Sequence, residues 1–162
     1  MLKRLAGLAL LASLIGTTTA TAQGTRWGVG GSGLVSLETG GGSDFGFTGL
    51  FDYYPGGKLG YRVDGSWIFE TGTDDLLFNA DATYNFVTSS PSVHPFIMGG
   101  GTVAVLTNFD DANVGVNVGA GINFHLRNSP LGLWADGRYH HLFSPSFNGL
   151  QFTAGVRLGK GE

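Results

Sequence analysis

The 162-residue sequence contains no cysteine, only 5 prolines and only 13% charged residues. The missing cysteine excludes disulfide scaffolds, thiolate metal centres and thiol catalysis. Soluble domains carry about 25% charged residues, so this chain is short of the Lys and Glu that cover a water-facing shell. Few prolines and no Gly-X-Y period exclude a collagen-like helix, although the chain holds 29 glycines. After the first segment no stretch approaches 18 consecutive apolar residues, which leaves no downstream transmembrane helix. What is abundant is glycine, well above the usual ~7%, and aromatic residues, with 12 Phe, 5 Tyr and 3 Trp. That composition is too apolar for a disordered polar tract.

Met1 to Ala22 has a basic start (Lys3, Arg4), an uncharged apolar stretch from Leu5 to Ile15, and small residues ending in Ala20-Thr21-Ala22. This is the order of a secretory signal peptide with an A-x-A cleavage site, the apolar part being too short to span a bilayer as a helix. The expected division is a signal peptide at 1–22, cut before Gln23, and one barrel domain at 23–162; a retained anchor is the alternative. Without Lys3 and Arg4 the mature chain has seven basic and twelve acidic residues, net −5. That balance, with no basic stripe, disfavours nucleic acid as a partner.

From residue 25 onward the chain alternates with period two between clusters of Gly, Pro, Asn, Asp and Ser, which predicts strands rather than helices. Strands are expected near 25–38, 44–54, 59–70, 76–88, 95–107, 113–126, 131–143 and 150–159, joined by short loops. An even number of strands lets the first and last pair antiparallel and close the sheet.

Successive strand side chains point to opposite faces. The apolar face takes Trp27, Val29, Phe45, Phe47, Phe51, Tyr53, Tyr61, Val63, Trp67, Phe69, Phe78, Tyr84 and Phe86. It continues with Phe96, Met98, Ala104, Val114, Val116, Val118, Ile122, Phe124, Tyr139 and Phe152. The other face is mostly Gly, Ser, Thr and Asn, with Arg26, Asp52, Arg62, Asp64, Asp81, Asp136, Arg138, His140 and Arg157. A soluble lipocalin-like barrel holding an apolar ligand would turn the apolar face inward; an outer-membrane barrel turns it toward lipid. So many aromatics would overfill an eight-stranded interior, and the small polar residues suit a narrow lumen better than a solvated shell. With the strands alternating up and down, Trp27, Tyr53, Tyr61, Tyr84, Phe86, Phe96 and Phe124 form one rim. Trp67, Phe69, Phe78, Tyr139, Phe143 and Phe152 fall on the other, with Phe45 and Phe47. Two aromatic girdles around an aliphatic band are what the membrane interfaces select.

Strand number, two-faced alternation and girdles over residues 25–159 resemble the small OmpA/OmpX-like outer-membrane β-barrel family of Gram-negative bacteria. The resemblance implies an all-β, eight-stranded antiparallel up-and-down transmembrane β-barrel after an N-terminal signal peptide. It also implies outer-membrane lipid, lipopolysaccharide and the barrel-assembly machinery as partners, and a monomer. Family members commonly end on an aromatic residue read by that machinery; this chain runs on through Gly159-Lys160-Gly161-Glu162, leaving Leu158 in that place.

Buried charges must pair. Arg26, Arg62, Arg138 and Arg157 equal Asp52, Asp64, Asp81 and Asp136 in number, and a short turn after the second strand sets Asp52 opposite Arg62. An ion-pair network closing the lumen is expected, with a structural or envelope-stabilising role; a narrow polar path is the alternative. No cofactor or metal site is expected: Asp74-Asp75 and Asp110-Asp111 lack the spaced ligands of a calcium loop. His140, His141, Ser144 and Ser146 cluster at the last outer turn and raise a second alternative, a lipid A-modifying enzyme. No acidic residue stands at triad spacing from them. Gly99-Gly100-Gly101 has no following helix to make it a phosphate loop, so a bulge or a close backbone approach is expected there.

Overall fold

The computed structural model describes residues 24–70, 73–90, 92–106, 112–144 and 146–159. The proposed signal peptide, Asp110, Asp111 and Lys160 to Glu162 lie outside the described residues. Eight strands run in chain order: β1 (Thr25–Ser36), β2 (Ser43–Tyr53), β3 (Leu59–Glu70), β4 (Thr73–Asn85), β5 (Val93–Leu106), β6 (Ala112–His125), β7 (Leu131–Phe143) and β8 (Ser146–Leu158). Each pairs antiparallel with its sequence neighbour, and β1 pairs with β8 from Trp27↔Leu158 to Ser36↔Gly149, closing the barrel. Closure leaves no sheet edge to template aggregation. The β2–β3 turn needs Gly56 (φ 117°) and Gly57 (φ 80°), conformations that residues with a Cβ rarely adopt. It fixes the register Asp52↔Arg62.

The apolar face is outward. Trp27, Phe45, Phe47, Tyr61, Trp67, Val118 and Phe152 are each at least half exposed, whereas Asp52, Arg62, Asp64, Asp81, Arg138 and Arg157 are buried inside. This is the reverse of a soluble ligand-binding barrel, so the lipocalin-like alternative is overturned. The outward aromatics fall toward the two ends. Trp27 packs on Phe51 at 4.5 Å between ring centroids, and Tyr84 on Phe86 at 5.2 Å, near the turns and termini. Phe69 packs on Phe47 at 5.8 Å and on Trp67 at 5.7 Å near the other end. Tyr53 and Tyr84 are half-buried, and Phe78, Phe86, Phe124, Tyr139 and Phe143 are exposed.

Strand β5 departs from the sequence expectation. Phe96 and Met98 are 1% and 3% exposed and point into the lumen with Ala104, while Ile97 and Val103 face out. Phe96 is therefore not a girdle residue. Glycines on the neighbouring strand make its inward position possible: a Cβ at Gly121 would lie 2.5 Å from the Phe96 ring, and one at Gly119 would lie 2.9 Å from Met98 Cε. The Arg62 guanidinium sits 4.8 Å from the Phe96 ring centroid, a cation–π contact made in a desolvated site. The three-glycine run is a regular stretch of the ladder rather than a bulge, from Gly99↔Ala82 to Gly101↔Ala80. Its middle member makes the close approach, since a Cβ at Gly100 would fall 2.0 Å from the Ala80 carbonyl oxygen.

Candidate functional site

The lumen is built in layers. Nearest the end away from the termini, Leu34, Ile68, Leu77, Ala104 and Leu142 form an apolar cluster inside the barrel, with Phe147 packed against it. Each Leu or Ile so buried contributes about 1.5–3 kcal/mol relative to exposure. These five side chains themselves offer water no hydrogen-bonding partner.

Below the cluster runs a belt of hydrogen bonds. The Ser32 and Thr48 hydroxyls are bonded to each other, and Thr48 Oγ1 lies 2.6 Å from Ser66 Oγ. Gln151 Nε2 donates to Ser66 Oγ (2.8 Å), which leaves Gln151 Oε1 to accept from His140 Nε2 (2.9 Å). The other ring nitrogen of His140 stands 3.1 Å from Thr102 Oγ1, itself bonded to Asn79 Oδ1 at 2.7 Å. Asn117 Nδ2 reaches Asp81 Oδ1 at 2.8 Å, and Asn79 Nδ2 donates to Asp64 Oδ1 at 2.8 Å, joining the belt to the charges beneath.

The charged layer contains Asp52, Asp64, Asp81 and Asp136. Arg62 donates from Nε to Asp52 Oδ1 (2.7 Å) and from Nη1 to Asp136 Oδ2 (2.9 Å). Arg138 bridges Asp64 (3.0 Å), Asp81 (3.2 Å) and, more loosely, Asp136 (3.8 Å). Arg157 lies 3.6 Å from Asp52. Seven of the eight charged residues expected in the lumen thus join in one network. Arg26 does not: among the described residues it has no carboxylate within ion-pair distance, and its guanidinium rests 4.8 Å from the Tyr54 ring centroid instead.

The histidine and serine cluster at the last outer turn separates into two environments. His140 is fully buried in the belt, while His141 Nδ1 is 2.9 Å from Asn148 Oδ1 and Ser144 and Ser146 are exposed. Asn148 also donates from its backbone N–H (3.0 Å) and from Nδ2 (2.8 Å) to Glu38 Oε1, so this group ties the β1–β2 loop to β8. The Tyr139 hydroxyl also bonds Asn148 Oδ1, so Tyr139, His141 and Glu38 meet on one amide as a loop anchor, and among the described residues no serine of this turn is bonded to either histidine.

Apolar residues in the lumen escaped the sequence reading, Trp134 and Leu50 among them. Trp134 is 2% exposed and lies across Gly28 and Gly155, where added Cβ atoms would come within 2.9 and 2.4 Å of its ring. The signal for it was the strand parity itself, since Trp134 shares a face with Asp136 and Arg138.

No protein-family model matches this sequence, and no curated protein matches it either. Solved structures do. The chain is similar to Neisserial surface protein A at 20% identity and TM-score 0.68, over 86% of this chain and 99% of that one. It is similar to the outer membrane protein OprG from Pseudomonas aeruginosa at 11% identity and TM-score 0.65, over 85% and 96% of the two chains. The N-terminal β-barrel domain of Pseudomonas aeruginosa OprF matches at 14% identity and TM-score 0.61, over 85% and 100%. The fold is that of the small eight-stranded outer-membrane barrels.

Proposed function

We propose that this chain is exported by a cleaved signal peptide and inserted as a monomer into the outer membrane, where it serves as a structural element of the envelope with a closed lumen. The observation that carries this reading is the stack of an apolar layer on a paired-charge layer, with Leu34, Ile68, Arg62 and Asp52 all at most 6% exposed. A conducting pore needs a continuous wet path, and these layers replace water with side chains. The outward girdles suit contact with phospholipid on one rim and lipopolysaccharide on the other, and the barrel-assembly machinery is the expected insertion partner. The chemistry is non-catalytic and needs no cofactor or metal.

Fractionation of expressing cells tests the location. The chain is expected to sediment with outer membranes, to need detergent for extraction, and to run faster on gels unheated than boiled, because the closed barrel stays compact in detergent. Release in soluble form without detergent contradicts the proposal.

A further inference from the structure

Charge in the barrel is divided by end. The turns and the last two positions of the strands at the terminus-bearing end carry Arg26, Lys58, Arg127 and Arg157 against Asp52 alone, among the described residues. Asp52 is already engaged by Arg62 and Arg157. At this end the lumen opens into a cavity of about 390 Å³, with Arg26, Tyr54, Lys58, Asn85, His94 and His125 among the residues in its wall.

Three donors on side chains that line this cavity are unpaired. Arg26 Nε and the Tyr54 hydroxyl are buried and have no hydrogen-bond partner, on side chains 9% and 7% exposed. His125 supplies the third. Its Nε2 lies 3.4 Å from Arg157 Nη2; a guanidinium can only donate, so this nitrogen accepts and the ring proton sits on Nδ1. His125 Nδ1 is likewise buried without a partner. Each unpaired buried donor costs about 1–3 kcal/mol. A ligand made of acceptors would offset the charges of Arg26 and Lys58, and small rotations of these lining side chains would turn their unpaired donors to it and recover that cost.

We propose that the terminus-end cavity binds a small anion presenting phosphate or carboxylate oxygens, held by Arg26, Tyr54 and His125 inside and by Lys58 at the rim. The inference rests on the proposed function only in that this end would face the periplasm. Such an anion arrives either as a free solute or as the headgroup of an inner-leaflet phospholipid. The apolar and paired-charge layers above close the cavity at its far side, which makes it a blind pocket rather than part of a channel.

Inorganic phosphate titrated into the full barrel in phosphate-free maltoside micelles tests the site by calorimetry and amide NMR, independently of where the protein resides in cells. Saturable binding in roughly the millimolar range is expected, with the largest shifts at Gly24, Tyr54 and His125. Arg26→Gln should weaken it about tenfold, the loss of one charge-assisted hydrogen bond. Lys58→Gln, at the exposed rim, should weaken it about threefold. Repeating the titration in phospholipid nanodiscs distinguishes the sources: an unchanged affinity assigns the site to a free anion, and loss of the phosphate response, with the same amides already shifted, assigns it to a lipid headgroup. Shifts reproduced by sodium chloride at equal ionic strength would overturn the proposal. Equal affinity in the parent and in both variants, each retaining heat-modifiable migration, would overturn it too, leaving a cavity that holds only water.

Discussion

Replacing Arg62 by alanine is expected to destabilise the folded barrel by about 3–5 kcal/mol, the cost of removing one member of a fully buried ion pair. Arg62 is 1% exposed and its guanidinium joins Asp52 at 2.7 Å to Asp136 at 2.9 Å, on strands far apart in sequence. Without it, among the described residues Asp52 keeps as a cationic partner Arg157 at 3.6 Å and Asp136 keeps Arg138 at 3.8 Å. Two carboxylates would remain in a site that water reaches poorly, and the Phe96 ring would lose the cation above it. Arg62→Lys retains the charge but not the fork that contacts both carboxylates, so its cost should be smaller, about 1.5–3 kcal/mol. Reversible urea unfolding in lipid vesicles, followed by tryptophan fluorescence, measures both. A change within about 0.5 kcal/mol for Arg62→Ala, the range of an ordinary surface substitution, would show that the charged layer adds nothing to stability.

The second large effect is a contrast between two glycines three positions apart on β2. Gly46 points into the lumen, and a Cβ there would fall 1.9 Å from the Trp67 carbonyl oxygen and 2.8 Å from Ile68 Cα. Relief requires the β3 backbone to move away, so Gly46→Ala is expected to cost about 1–3 kcal/mol or more. Gly49 points outward, and a Cβ there would meet nothing within 4 Å. Gly49→Ala should leave the barrel as stable as before or gain about 0.5–1 kcal/mol by restricting the unfolded chain. The same unfolding measurement compares the two, and equal effects would refute the assignment of faces on β2. The contrast also explains the glycine content. Inward glycines at 30, 46, 100, 115 and 155 are required by close backbone approach, with added Cβ atoms at 1.9 to 2.3 Å from a carbonyl oxygen. Outward ones are spared such contact, as Gly31 and Gly101 show with 4.0 Å to the nearest atom.

Alternation carried most of the fold because an apolar outer face and a polar lumen impose opposite chemistries on neighbouring residues. Phe45 and Phe47 on either side of Gly46, or Tyr61 and Val63 around Arg62, leave no doubt about which face is which. The pairing of Asp52 with Arg62 was legible because a short glycine turn fixes the register of β2 and β3. Sorting by polarity failed where the lumen itself is apolar. Ile68 lies between Trp67 and Phe69, and Leu34 precedes Val35, so only strict parity places them inside. In Phe96-Ile97-Met98 all three residues are apolar, and the phase of β5 is set by Thr102 and Gly100 further along the strand. Residues of the terminus-end cavity were the least legible. Tyr54 and Lys58 belong to a turn, and His94 and His125 stand at strand ends, where alternation stops carrying information.

Single-channel recording of the purified barrel in planar bilayers tests the closed lumen most directly. With the proposed closed lumen, insertion is expected to produce no stable current steps in potassium chloride, while the same preparation shows the heat-modifiable folded band. Reproducible, long-lived current steps from fully folded protein would contradict the account and assign this barrel an open pathway through the Arg62 and Arg138 layer.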